Sequence, residues 1–153
     1  PLQPSTYSTS SGKSDRSKER VKMDDGWFRK GEKFYDDIRK SFQEVIRRYQ
    51  EKHPDFVCQR HTDFRLNKYS YGGFMSRHVD NIHHSHGQEY EYQQVSSLLF
   101  LNDNNKGVQL KISNTTYNTK KVSAIISPSN FMFPHEVNLI TEGTRYSIVT
   151  WLM

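Results

Sequence analysis

Phe64-Arg65-Leu66-Asn67-Lys68-Tyr69-Ser70-Tyr71-Gly72-Gly73-Phe74-Met75-Ser76-Arg77-His78-Val79-Asp80 is the stretch that decides how this chain folds. From Phe64 to Tyr69 apolar and polar side chains alternate, which is the period of a strand with one face buried. Tyr71-Gly72-Gly73-Phe74 reads as a turn. The chain then runs on to His78-Val79-Asp80. In an extended segment side chains alternate with period two, so His78 and Asp80 share one side.

The rest of the chain extends this pattern in both directions. Upstream, Phe34, Ile38, Phe42, Val45, Ile46 and Tyr49 recur at helical spacing with charged residues between them, which predicts an amphipathic helix over 32–50. His53-Pro54 ends it, because the residue before proline disfavours helical geometry. Downstream, residues 81–94 are polar, rich in histidine and without a period, as in a long loop. Val95 to Leu101 is an apolar run of strand length. Asn102-Asp103-Asn104-Asn105-Lys106-Gly107 is a hairpin signal. Val108, Leu110 and Ile112 alternate. Further strands are expected at Val122 to Ser127, closed by Ser127-Pro128-Ser129-Asn130, and at Phe131 to Val137 and Arg145 to Trp151. One helix followed by short strands predicts a mainly β fold, a small antiparallel sandwich or jelly roll with a helix packed outside.

At 153 residues the chain is one domain. Residues 1–23 are rich in Ser, Thr, Lys and Arg with no apolar period, and they hold +3 of the overall +5 charge. They are expected to be a flexible basic segment and a candidate lid over substrate, with 24–153 as the single folded domain. Because the excess charge is local, it does not indicate a nucleic-acid-binding face. Cys58 is the only cysteine, so an intrachain disulfide and a Cys-based zinc site are excluded, and a reducing cytoplasm is the expected setting. No apolar window reaches the length of a membrane span, and no signal peptide is visible.

The chemistry enters with two later residues. His135 supplies a second imidazole, and Arg145 follows it by ten positions. Two imidazoles and one carboxylate can fill one face of an octahedral ferrous ion and leave the other face open. An arginine suits the far carboxylate of a bidentate cosubstrate, since its planar fork meets a carboxylate with two parallel hydrogen bonds. His83, His84 and His86 form another cluster, but no carboxylate or cysteine completes it, so it reads as a polar loop. Tyr90, Tyr92 and Phe100 read as packing residues, and Cys58 as an ordinary small buried residue.

Tyr69-Ser70-Tyr71-Gly72-Gly73-Phe74-Met75-Ser76-Arg77-His78-Val79-Asp80-Asn81 resembles the first metal motif of the prolyl-4-hydroxylase branch of the 2-oxoglutarate- and Fe(II)-dependent dioxygenases. Pro134-His135-Glu136-Val137 and Thr144-Arg145-Tyr146-Ser147-Ile148-Val149-Thr150-Trp151 resemble the second. The hypoxia-sensing prolyl hydroxylases and smaller bacterial and phage relatives belong to that branch. The resemblance covers roughly residues 64–152 and implies a double-stranded β-helix, the cupin-like jelly roll. It implies His78, Asp80 and His135 as iron ligands and catalytic centre, and Arg145 as the ion-pair partner of the 2-oxoglutarate C5 carboxylate. Tyr69 is implied as a hydrogen-bond partner of that carboxylate, with Tyr71 as the competing residue, and Trp151 as a pocket wall. The implied cofactors are Fe(II) and 2-oxoglutarate, with O2 as cosubstrate and room for ascorbate. The implied reaction is hydroxylation of a peptidyl proline, with a protein or peptide as substrate and no membrane partner. The alternatives are a nucleobase-oxidising dioxygenase, suggested by the basic N-terminus, and a catalytically inactive jelly-roll binding module. The oligomeric state is open.

Overall fold

A computed structural model describes residues 1–8, 14–15, 19–81, 93–107 and 109–153. Five short strands come first: β1 (Gln3–Pro4), β2 (Tyr7–Ser8), β3 (Ser14–Asp15), β4 (Val21–Lys22) and β5 (Asp24–Phe28). The one helix among the described residues, α1 (Tyr35–Lys52), follows. Then come β6 (Phe64–Tyr69), β7 (Phe74–His78), β8 (Val95–Phe100), β9 (Leu110–Ile112), β10 (Thr115–Tyr117), β11 (Ser123–Pro128), β12 (His135–Val137) and β13 (Arg145–Leu152). A six-stranded sheet has the order β1-β5-β6-β13-β8-β11, and a five-stranded sheet has the order β10-β9-β12-β7-β4. All recorded strand pairs are antiparallel. The expected fold, mainly antiparallel β with one packed helix, is the fold observed.

Register assigns the faces of the larger sheet. Arg145, Ser147 and Val149 of β13 lie opposite Tyr69, Asn67 and Arg65 of β6. Ser147, Val149 and Trp151 lie opposite Phe100, Leu98 and Ser96 of β8. These residues face the smaller sheet. The core between the sheets gathers Tyr69, Met75, Phe100, Leu110, Ile112, Val137 and Ile140. The intervening residues face α1, where Tyr35, Phe42, Phe64 and Ile148 are buried together with Leu66 and Leu99 packed against them. The Phe42 and Phe64 rings stack at 5.3 Å with 2° between their planes.

Three differences from the sequence reading have local causes. The helix starts at Tyr35, because Phe34 takes a left-handed φ of 71° that cannot continue inward as helix. Phe34 is consequently 54% exposed and not on the packed face. The strand expected over Phe131–Val137 shortens to His135–Val137. Asn130 draws the preceding residues into a turn, its Oδ1 accepting from Met132 N at 2.9 Å and its carbonyl from Phe133 N at 3.1 Å. Cys58 is only partly buried, and its Sγ donates to the Arg60 carbonyl at 3.2 Å.

The described parts of 1–23 contribute to both sheets. Gln3 and Pro4 pair with Asp25 and Asp24, while Val21 and Lys22 pair with Met75 and Phe74. Tyr7, Val21 and Met23 are buried in the core between the sheets. The expected loop at 81–94 lies almost wholly outside the described residues. Among the described residues no helix is long and apolar enough to cross a membrane.

Candidate active site

His78 ends β7 and His135 begins β12, and the antiparallel register sets them directly opposite each other. Their ring centroids are 4.3 Å apart. Asp80 lies two residues beyond the end of β7 and turns back toward both. Its Oδ1 lies 3.4 Å from His78 Nε2 and 3.5 Å from His135 Nε2. One ligand atom from each of the three residues can be chosen so that all lie within 4.8 Å of one another. All three side chains are between 11% and 15% exposed, so the cluster is shielded but open to a small ligand.

The imidazoles are oriented for metal binding. His78 Nδ1 lies 2.7 Å from the Ser76 carbonyl, and His135 Nδ1 lies 3.5 Å from that of Phe133. A carbonyl only accepts, so each Nδ1 carries a hydrogen and each Nε2 is the nitrogen turned toward Asp80, able to donate to the carboxylate when protonated and to offer its lone pair to a metal when not. Asp80 is held as firmly. Ser96 Oγ donates to its Oδ2 at 2.6 Å, and Trp151 Nε1 donates to the same oxygen at 2.9 Å. Ser96 Oγ is itself 2.8 Å from Ser129 Oγ. Two donors on Oδ2 leave Oδ1 facing the histidines.

Burial opposes charge on Asp80, but His135 and His78 beside it hold its carboxyl well below the usual carboxylate range. Burial likewise works against a charged His135, yet the Asp80 carboxylate outweighs it and raises the imidazole above its ordinary value. The pair therefore behaves as a carboxylate holding an imidazolium in the place that a bound cation would take in a metal-ligating set.

The neighbouring residues on the larger sheet supply a second feature. Arg145 is 0% exposed, and its Nε, Nη1 and Nη2 all lack a hydrogen-bond partner. Its guanidinium carbon lies 4.8 Å from the Phe100 ring centroid and 5.6 Å from that of Tyr69. Burial depresses its pKa below the usual arginine value. A buried guanidinium without an anion is costly, and a carboxylate entering beside it offsets that cost. A dicarboxylic acid fits this donor set. Tyr69 lies directly across from Arg145 in the sheet and is buried, which pushes its phenol above the usual pKa and keeps it protonated as a donor. Tyr71 is 73% exposed and points elsewhere.

The structure thus brings His78, Asp80 and His135 together, with Arg145 and Tyr69 paired on the facing sheet. His83, His84, His86, Tyr90 and Tyr92 lie outside the described residues. Nothing in the sequence singles out Ser96 or Arg65. Ser96 sits in an apolar-looking run, and only its register opposite Trp151 brings it to Asp80. Arg65 looks like an ordinary polar residue on an alternating strand, yet its guanidinium carbon lies 4.7 Å above the Trp151 ring.

Known proteins share this architecture. A prolyl hydroxylase of Trichoplax adhaerens, solved with a hypoxia-inducible-factor oxygen-degradation-domain peptide, superposes with a TM-score of 0.73 at 18% identity, covering 97% of this chain and 70% of its own. The viral collagen prolyl hydroxylase of Paramecium bursaria Chlorella virus-1, solved with 2-oxoglutarate, gives 0.72 at 14% identity over 87% of this chain and 79% of its own. At such identities the likeness is one of fold. A PKHD-type hydroxylase of Rippkaea orientalis is 36% identical over 93 residues, which is 57% of this chain and 40% of that protein. The chain therefore spans well under half the length of that relative. Residues 64–153, which hold every residue of the cluster and its facing arginine, match the sequence profile of the 2OG-Fe(II) oxygenase superfamily, and the chain belongs to it.

Proposed function

We propose that the chain is a 2-oxoglutarate-dependent hydroxylase acting on a peptidyl proline, with Fe(II) held by His78, Asp80 and His135. The observation that carries this reading is Arg145, a fully buried guanidinium with three unpartnered nitrogens on the sheet facing the ligand cluster. Ferrous iron with 2-oxoglutarate and O2 would supply oxidative decarboxylation of the keto acid coupled to hydroxylation of a C–H bond.

The residues of the chain have definable tasks in this reaction. Arg145 would hold the C5 carboxylate of 2-oxoglutarate, with Tyr69 donating to it. Ser96 and Trp151 bind Oδ2 of Asp80, so that Oδ1 is presented toward the metal. The carbonyls of Ser76 and Phe133 fix the histidine tautomers. Residues 24–153 would supply the catalytic residues, and residues 1–23, whose strands join both sheets, would also cover substrate. Supporting that role, the Tyr7 ring lies edge-on to His78 at 6.1 Å, and its hydroxyl donates to the Arg77 carbonyl at 3.0 Å. The fold neighbours support a peptide substrate, since both are prolyl hydroxylases by name and one was solved with a peptide. Lone Cys58 supports a reducing, cytoplasmic setting.

The test is anaerobic addition of Fe(II) and then 2-oxoglutarate, read by visible absorption. A charge-transfer band of the chelated keto acid is expected, and it should be lost in His78→Ala. Folded protein without a band would overturn the cofactor assignment. Proline-containing peptides then report the substrate through succinate release and the mass of one added oxygen.

A further inference from the structure

Two guanidinium groups sit on the inner face of β6 and β13, and they point to different places. Arg145 starts β13 and nests against Phe100 and Tyr69. Arg65 lies opposite Val149, four residues further along β13, which is about 13 Å of strand. Its guanidinium lies over the Trp151 ring at 4.7 Å and is near enough to Tyr69 and His135 to act on both electrostatically. Trp151 in turn donates its Nε1 to Asp80. Arg65 is thus one indole ring away from the candidate metal carboxylate.

Arg65 is also without a counter-charge. Its Nε is buried and unpartnered, and among the described residues its guanidinium makes no ion pair or hydrogen bond. The Trp151 ring supplies a cation–π contact but accepts no hydrogen bond from a guanidinium edge. Beside it, Trp27 comes from β5, opposite Arg65 in the sheet. The Trp27 ring is 6.3 Å from that of Trp151 and is 40% exposed, so it forms an aromatic rim open to solvent. An unpaired guanidinium over one indole, with a second indole beside that ring, forms a receptor for a carboxylate attached to a flat or apolar group.

Building on the proposed peptidyl hydroxylation, we infer that Arg65 selects substrate peptides carrying a carboxylate next to the residue to be hydroxylated. The carboxylate would take the fork of Arg65, while the target ring would lie against Trp151 and Trp27. The cosubstrate keeps Arg145, so the two carboxylates do not compete.

The test uses the full chain loaded with Fe(II) and 2-oxoglutarate. It is given a peptide mixture with a fixed central proline and randomised flanks, and hydroxylated products are sequenced. Asp or Glu should be enriched at one flanking position, with Glu preferred over Gln by about tenfold or more in kcat/KM, the size of one charge-assisted hydrogen bond. Arg65→Met should abolish the enrichment, and Arg65→Glu should turn it toward Lys and Arg. In Arg65→Met the band with 2-oxoglutarate should appear at the same cosubstrate concentration as in the parent. Hydroxylation without acidic preference would overturn the role of Arg65 and leave the hydroxylase reading standing. A band that weakens in Arg65→Met would assign Arg65 to the cosubstrate and overturn the inference. No hydroxylated peptide despite a normal band would overturn the peptide reading and the inference with it.

Discussion

The two faces of β6 and β13 obey opposite rules. On the outer face Phe64, Leu66 and Ile148 pack against α1, and their neighbours there are aromatic or aliphatic. On the inner face, one residue over in each case, Arg65, Asn67, Arg145 and Ser147 carry buried polar atoms with no partner. A strand cannot choose these faces independently, because period-two alternation places adjacent residues on opposite sides. The outer face is built for stability. The inner face keeps polar groups unsatisfied, which a core built only for stability would not tolerate.

The largest effect that would test this contrast is on the outer face. Phe64 is 1% exposed and contacts Phe42, Tyr35 and His61 through its ring. Phe64→Ala should cost about 3–5 kcal/mol of folding stability, the usual range for a buried phenylalanine. Chemical denaturation with the metal-free protein measures it. A loss below about 1 kcal/mol would mean the helix layer is not the stabilising one.

The inner face should respond in the other direction. Arg145→Leu removes a buried charge that has no partner, so the metal-free protein should hold its stability or gain some. Affinity for 2-oxoglutarate should fall by about 1.5–3 kcal/mol, the range for hydrogen bonds to a charged group. Calorimetry or the visible band reads the affinity, and denaturation reads the stability. An Arg145→Leu protein that is strongly destabilised would erase the distinction between the faces.

Much of this contrast was legible in the sequence. The alternation from Phe64 to Tyr69 reads as the strand whose faces differ, and the order of His78, Asp80, His135 and Arg145 names residues that the fold brings to two facing sheets. Spacing alone leaves Tyr69 and Tyr71 equivalent, and only the register sets Tyr69 opposite Arg145. Strand β5 is not legible in the sequence because Asp24-Asp25-Gly26-Trp27-Phe28 has no clear alternation, and its strand geometry comes from pairing with β6. The roles of Ser96 and Arg65 are tertiary as well. Each depends on Trp151, which a remote part of the chain brings alongside.

Ser96 sharpens the comparison at smaller scale, because it is a buried inner-face residue with its hydrogen bonds made. Ser96→Ala removes one of two donors to Asp80 Oδ2 and leaves Trp151 in place. Metal affinity should fall by about tenfold, the lower end for losing a group that orients a metal ligand. Titration with Fe(II) under anaerobic conditions, or with a redox-inert divalent ion, measures it. Unchanged affinity would mean that Trp151 alone orients the carboxylate.

The smallest effect is in the pH dependence, and its sign separates folding from function. Without metal, Asp80 is depressed and His135 is raised, each mainly stabilised in its charged form by the other despite burial. The raised imidazole contributes stability that is complete below its unfolded value of about 6.5 and lost as pH rises through the higher folded value. The depressed carboxyl contributes above its unfolded value of about 3.9 and loses that contribution as pH falls through the lower folded value. Metal binding runs the other way in the upper window. A ligating imidazole must give up its Nε2 proton, so metal affinity should climb as pH rises through the folded value of His135. Just above pH 6.5, then, metal-free stability should decline while metal affinity increases, a crossing that denaturation and metal titration at matched pH would resolve. Asp80→Asn should remove the decline in stability. If metal-free stability stays flat through that window in the parent protein, the charge on His135 is not held by Asp80, and the inner face is less tuned toward a cation than its geometry indicates.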